Sequence, residues 1–163
     1  MKKLFVTTLI LFFFNFLSAQ VFYPLLIEKD QKIQKKWVDS MYNSMSINEK
    51  VGQLFMVDVF SKDPKSKTDL IDSLIKNHHI GGIIFSKGGP IRQAKLSNHY
   101  QNISKTPLLM AMDAEWGLAM RLDSTYAYPW NMTLGAITDN KIVYDIGKQI
   151  GEHVKRMGMH INF

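Results

Sequence analysis

The chain has 163 residues, of which 20 are Lys or Arg and 14 are Asp or Glu, and 46% of its residues are hydrophobic. This length suits one ordinary domain, and the apolar content is too high and the net charge of +6 too small for an intrinsically disordered chain. The absence of cysteine excludes a disulfide framework, a thiolate zinc site and a cysteine nucleophile.

The first 19 residues have the pattern of an export signal. Residues 1–3 carry two lysines, residues 4–17 are almost all apolar, and residues 18–20 offer a small-residue cleavage site at Ala19. The apolar run is shorter than the roughly 20 residues that span a bilayer, which favours a cleaved signal peptide (1–19) over a retained anchor. The sequence therefore predicts an exported protein, periplasmic or extracellular, with no stable membrane anchor after cleavage.

Residues 20–44 are interpreted as an N-terminal helical lead-in. Apolar residues recur with helical spacing between Asp30 and Ser44, namely at Ile33, Trp37, Val38 and Met41. The lysines around them favour a solvated helix face. They do not form the concentrated stripe with interleaved aromatics that is typical of nucleic-acid binding, so no nucleic-acid partner is expected.

From residue 45 onward, helix and strand patterns alternate. Ser46 and Glu49 form a capping box that begins a short helix ending near Gly52. The run Leu54–Phe60 is nearly all apolar, which is typical of a strand buried on both faces. A helix is then predicted over Thr68–Asn77, with these residues on one face: Leu70, Ile71, Leu74 and Ile75.

The same alternation continues toward the carboxyl end. Gly81–Phe85 and Thr106–Met112 are predicted strands. Between them a turn leads to Pro90, which suits the first position of a helix running to about Ser104. That helix is expected to bury Ile91, Ala94 and Ile103.

A long excursion, Asp113–Thr138, separates the third predicted strand from the last helix and strand. Asp139 or Asn140 caps that helix, and Gly158 ends it. Its apolar stripe consists of Val143, Ile146, Ile150, Val154 and Met157. With a final strand at Met159–Phe163, the order predicts an α/β fold with a parallel sheet, either a barrel or a doubly wound sheet.

The excursion begins at a strand end, where ligand sites of both fold types occur. Asp113, Glu115, Trp116 and Arg121 lie close together there. Carboxylates accept hydrogen bonds from vicinal hydroxyls, an indole provides a flat apolar face for a sugar ring, and Arg adds a fixed fork of donors. The alternative is structural: both carboxylates pair with Arg121 while Trp116 packs in the core.

Other polar signals have structural interpretations. His78 and His79 suit the end of a helix dipole, and no metal or cofactor site is expected from their spacing. His160 is interpreted as a core group or a group behind the site. The Gly81-Gly82 and Gly88-Gly89 pairs lack the rest of a phosphate-binding motif and are predicted to serve turns and close approaches.

Several segments resemble glycoside hydrolase family 3. They are Met45–Met56, Ile80–Phe85, the Asp-x-Glu-x-Gly segment Asp113–Gly117, Met132–Ala136, Lys155–Gly158 and His160–Phe163. The likeness covers nearly all of residues 45–163 in the right order. It is strongest toward the β-N-acetylglucosaminidase branch, although Trp116 and Leu118 replace the residues that are commoner there.

This resemblance implies the first half of a (β/α)8 barrel domain over residues 45–163, interrupted in its fourth strand. It also implies that Asp113 holds sugar hydroxyls, that Arg121 contributes to the same pocket, and that Glu115 orients the loop. Family members hydrolyse by retention, with an Asp nucleophile and a separate acid/base. The resemblance places both beyond Phe163, so no catalytic residue is assigned within the chain.

The expected parent protein is thus an exported hydrolase of β-linked N-acetylglucosamine saccharides, such as peptidoglycan fragments, and the 163-residue piece is expected to be inactive by itself. Two alternatives stay open. One is a periplasmic sugar-binding module on a doubly wound sheet, without chemistry. The other is β-glucosidase specificity in the same family.

Overall fold

A computed structural model describes residues 28–163 of the protein. The described residues divide into two units, one ending at Asn43 and one beginning at Ser44. The described part of the first unit belongs to helix α1 (Glu28–Ser44), which is present where the spacing predicted a helix over Asp30–Ser44. The predicted signal peptide lies outside the described residues.

The second unit alternates strands with helices, as predicted. Its strands are β1 (Met56–Phe60), β2 (Gly82–Lys87), β3 (Leu109–Met112) and β4 (Ile161–Asn162). Its helices are α2 (Ile47–Gly52), α3 (Lys65–His78), α4 (Pro90–Ile103), α5 (Asn131–Leu134) and α6 (Asn140–Arg156), with a 3-10 turn at Leu118–Met120. The strands pair in the order β1-β2-β3-β4, and every pair is parallel, which confirms the predicted α/β class.

The core lies on one face of this sheet. Val59, Phe85 and Met112 are neighbours across three strands, and each is at most 2% exposed. Buried residues of the long helices pack against this face: Ile71 and Ile75 of α3, Tyr100 of α4, and Ile150 and Val154 of α6. The helices α3, α4 and α6 therefore cover the face that carries Val59, Phe85 and Met112.

The opposite sheet face is exposed at some positions, although Ala111 on this face is fully buried. Asp58 is exposed and Leu109 is 51% exposed on this side. The prediction that the Leu54–Phe60 run is buried on both faces is therefore wrong. Leu54 is 83% and Phe55 58% exposed, because they precede β1 and lie outside the sheet. A short apolar run shows that a segment prefers burial, but it does not show what covers each face.

The predicted buried side of α4 is confirmed for Ile103, which packs against the core, and is wrong for Ile91. Ile91 is 71% exposed, whereas Gln93, Ser97 and Tyr100 are the buried residues of this helix. These three residues are spaced four and three apart, so they share the face that meets the sheet. The same kind of error affects α3, where Leu70 is 58% exposed while Ile71 and Ile75 are buried.

The buried face of α4 has an unusual polar content. Gln93 Nε2 lies 3.5 Å from Met159 Sδ. Among the described residues, Gln93 Oε1, Ser97 Oγ and the Tyr100 hydroxyl have no hydrogen-bond partner. Burial, followed by the nearby Asp72 carboxylate, raises the pKa of Tyr100 to about 12. Tyr100 is therefore neutral at physiological pH and contributes as a packed aromatic ring.

The capping box at the start of α2 is present as predicted. Ser46 N donates to Glu49 Oε2 at 2.7 Å, and Glu49 N donates to Ser46 Oγ at 3.3 Å. Lys105 Nζ adds an ion pair at 2.6 Å to the other carboxylate oxygen. The hydrogen bond from Lys105, and then those from Ser46, lower the pKa of Glu49 from 4.5 to about 2.

This shift predicts a pH-dependent contribution of Glu49 to stability. Because the pKa is lower in the folded chain, the contribution is fully present above pH 4.5 and is lost as the pH falls toward 2. Glu49→Gln should therefore lower the midpoint of thermal unfolding at pH 7, and the difference from wild type should shrink between pH 4.5 and 2.5. The control Glu152→Gln, at an exposed residue of α6, should keep the wild-type midpoint at pH 7. An equal Glu49→Gln effect at pH 7 and 2.5 would contradict the assignment.

Candidate functional site

The carboxyl ends of β1 and β2 are joined by Ser61. Its backbone N–H donates to the Lys87 carbonyl at 2.8 Å, and its hydroxyl accepts from the Gly89 N–H at 3.0 Å. On the open face of the sheet, the Ser86 hydroxyl donates to the Asp58 carboxylate. The turn and close approach predicted for Gly88-Gly89 are present, although β2 extends to Lys87, two residues beyond its predicted end.

The segment after β3 returns to the end of β2. Gly88 N donates to the Arg121 carbonyl at 3.2 Å, and Asp123 N donates to the Gly88 carbonyl at 2.8 Å, which forms a parallel bridge between Gly88 and Leu122. An ion pair of 2.7 Å between Arg92 and Asp123 lies beside it. The segment that contains the predicted site residues is thus held between the carboxyl ends of β2 and β3.

Asp113 and Arg121 meet at the mouth of β3. The Arg121 guanidinium forms an ion pair with Asp113 Oδ2, and its Nε donates to the Asp113 backbone carbonyl at 2.9 Å. The Asp113 and Arg121 side chains are only 28% and 25% exposed. The ion pair that the structural alternative predicted is therefore present between Asp113 and Arg121. It leaves Asp113 Oδ1 able to accept further hydrogen bonds, while Arg121 is oriented toward Asp113.

The loop between these two residues needs Gly117. Its φ of +102° lies in a region that side chains rarely adopt, and an added Cβ would come 2.8 Å from the Tyr128 ring. Tyr128 is buried, and its hydroxyl donates to Gln149 Oε1 of α6 at 2.9 Å. Burial, followed by Tyr126, raises the pKa of Tyr128. Tyr128 thus packs the excursion against both Gly117 and α6.

Glu115 and Trp116 occupy the tip of the loop. Glu115 is exposed, and its carboxylate forms no hydrogen bond or ion pair with any residue that the structure describes. Trp116 is partly exposed, so its ring is not core. Both side chains are accessible to a ligand at this edge of the sheet.

Asn162 is a site residue that could not be predicted from the sequence. This residue of β4 holds the backbone of Ala114, the residue after Asp113, through two hydrogen bonds. A lone polar residue in a short final strand was the only available signal. Of the two interpretations of His160, a core group or a group behind the site, the first is wrong because His160 is exposed. Its Nδ1 accepts from Met110 N at 3.0 Å.

The site contains hydrogen-bonding and charged groups suited to a neutral polyhydroxyl ligand. Within residues 28–163, no group of three or more His, Asp or Glu side chains is placed to hold a metal ion. In the same part of the chain, no helix is long and apolar enough to cross a membrane.

A parallel α/β sheet with its accessible polar groups at the carboxyl ends of the strands is the arrangement of α/β enzymes and sugar-binding proteins. Residues 46–163 match the model of the glycosyl hydrolase family 3 N terminal domain. The chain belongs to this family, which confirms the family resemblance of its sequence.

Individual relatives are distant and much longer. A protein of Cellulomonas fimi, named beta-N-acetylglucosaminidase/beta-glucosidase, is 24% identical over 127 residues, which cover 78% of this chain and 22% of that protein. Two structures of the beta-glucoside phosphorylase BglX, one bound to 2FGlc, are similar with TM-scores of 0.73 and 0.69 at 20% identity. The matched regions cover 85% of this chain, but only 24% and 23% of the two phosphorylase chains. The chain thus spans less than a quarter of the length of these relatives.

Proposed function

We propose that the chain forms the first half of a (β/α)8 barrel in an exported, retaining glycoside hydrolase that acts on β-linked N-acetylglucosamine saccharides. The lack of a helix layer over the exposed positions of one sheet face supports a barrel. In a doubly wound sheet helices cover both faces, whereas barrel strands turn one face toward the other strands. Here Asp58 and Leu109 are exposed on one face, while the opposite face packs against three helices.

The observation that supports this function most directly is the position of the Asp113 carboxylate at the carboxyl end of β3. Arg121 holds it from one side through a charge-assisted hydrogen bond, which fixes its direction. An ionised carboxylate can accept hydrogen bonds from two neighbouring hydroxyls of one sugar ring. We assign Asp113 to binding the hydroxyls of the sugar whose glycosidic bond is cleaved, and Trp116 to packing against a face of a sugar ring. Arg121 and Glu115 lie at the border of this pocket.

In the proposed reaction, a carboxylate attacks the anomeric carbon and the leaving oxygen takes a proton from an acid. The glycosyl enzyme is then opened by water. We assign neither step to a residue of this chain. Its residues bind and orient the sugar.

The names of the relatives define the assay. They include N-acetylglucosaminidase, β-glucosidase and phosphorylase. The purified full-length protein should be tested on nitrophenyl β-N-acetylglucosaminide and β-glucoside, each with and without inorganic phosphate. Faster release from the N-acetylglucosaminide, with the β-anomer as first product and no dependence on phosphate, is the expected result.

The other outcomes each contradict a part of the proposal. Faster release from the glucoside would show β-glucosidase specificity, and a dependence on phosphate would show phosphorolysis. Binding of a sugar without turnover of either substrate would show a binding module. If the protein neither binds nor hydrolyses these glycosides, the proposed function is overturned.

A further inference from the structure

Asn162 makes a paired contact with the backbone at the site. Its Oδ1 accepts from Ala114 N at 2.8 Å, and its Nδ2 donates to the Ala114 carbonyl at 3.2 Å. The primary amide therefore pairs with both polar groups of one residue, as a neighbouring strand would. Ala114 is fully buried, so water does not replace these bonds without a rearrangement.

The backbone of β4 is itself tied to β3 on both sides of Asn162. His160 N donates to the Met110 carbonyl at 2.8 Å, and Phe163 N donates to the Met112 carbonyl at 3.0 Å. The amide of Asn162 is thus presented from a fixed strand. It reaches Ala114, which lies beyond the last residue of β3.

Asp113 is consequently fixed from two directions. Arg121 holds its carboxylate and its carbonyl, and Asn162 holds the residue that follows. The direction of the Asp113 side chain depends on the torsion angles of its own backbone. Without Asn162, the Asp113–Ala114 peptide could rotate, and Arg121 would then hold the carboxylate in a different place.

We propose that Asn162 is a positioning residue, which directs the Asp113 carboxylate toward the sugar by holding the backbone of Ala114. This inference rests on the proposed function, in which Asp113 binds sugar hydroxyls. A shift of about 1 Å in a binding group can cost about 100-fold in rate, so Asn162→Ala should lower kcat/KM of the full-length protein by about that factor.

A double-mutant cycle separates positioning from a merely structural role. If Asn162 acts through Asp113, the variant Asp113→Ala/Asn162→Ala should have the same kcat/KM as Asp113→Ala alone. If Asn162 only stabilises the fold, its replacement should lower kcat/KM by the same factor in both backgrounds. That additive result would overturn the inference. Asn102→Ala, at an exposed position of α4, is the matched control and should keep wild-type kcat/KM.

Asn162→Asp provides a second test that does not depend on the alanine variant folding. The new carboxylate can still accept from Ala114 N but repels the Ala114 carbonyl, and protonation restores a donor. Its kcat/KM relative to wild type should therefore rise as the pH falls. A ratio that is constant with pH would contradict the inference.

Hydrogen exchange distinguishes failure of this inference from failure of the proposed function. In the full-length protein, Asn162→Ala should speed exchange of the Ala114 amide while amides of β2 stay protected. Unchanged Ala114 exchange would overturn the contact itself. If the Ala114 amide exchanges fast in Asn162→Ala but the wild-type protein hydrolyses no glycoside, the contact is confirmed and the proposed function is contradicted.

Discussion

Asp113→Ala is expected to lower kcat/KM of the full-length protein on its preferred glycoside by about 10²- to 10⁴-fold. Two hydrogen bonds from sugar hydroxyls to a carboxylate are lost, each worth about 1.5 to 3 kcal/mol, and about 1.4 kcal/mol corresponds to a factor of ten. Arg121 also loses its partner in a place where its side chain is only 25% exposed. Steady-state kinetics and calorimetric titration with the product sugar measure the effect.

Two variants make this result specific to Asp113. Asp145→Ala removes a carboxylate that pairs with Lys141 on the surface of α6, and it should keep kcat/KM near wild type. Asp113→Asn keeps the shape but not the charge, so it should fall between wild type and the alanine variant. If Asp113→Ala retained kcat/KM within threefold of wild type while its thermal midpoint was unchanged, Asp113 would not be a sugar ligand.

Features that depend on neighbouring residues could be predicted from the sequence. The capping box of α2 lies within four residues, and both of its hydrogen bonds are present. Asp113 and Arg121 are eight residues apart, and the loop between them closes through one glycine at positive φ. The order of strands and helices could be predicted for the same reason, because the hydrophobic period that distinguishes a helix from a strand is visible within one element.

Features that depend on distant residues could not be predicted. Asn162 and Ala114 are 48 residues apart, and no local pattern links an asparagine in a short strand to that backbone. The buried side of α4 depends on where the sheet lies, so Gln93 is fully buried while Ile91 is exposed. Hydrophobicity alone favoured burial of Ile91 and gave no reason to bury Gln93.

Gly52→Ala is expected to destabilise the protein by about 3 kcal/mol, as overpacking of a rigid contact does. Gly52 is the last residue of α2, and an added Cβ would collide with the backbone carbonyl of His78 and come 2.8 Å from that of His79. No side chain can turn aside, because both obstacles are backbone. Gln53 Nε2 donates to the His79 carbonyl at 2.7 Å, so the end of α3 is held in place.

Gly147→Ala is the matched substitution. Gly147 lies in α6 with nothing within 4 Å of an added Cβ, so alanine should stabilise the protein by about 0.5 to 1 kcal/mol through its helix propensity. The two substitutions have the same chemistry and opposite expected signs in urea unfolding followed by tryptophan fluorescence. Equal shifts of the urea midpoint would mean that α2 is not packed against the end of α3. Opposite shifts would show that direct backbone contact between these helices, and not glycine content, sets the stability of this part of the fold.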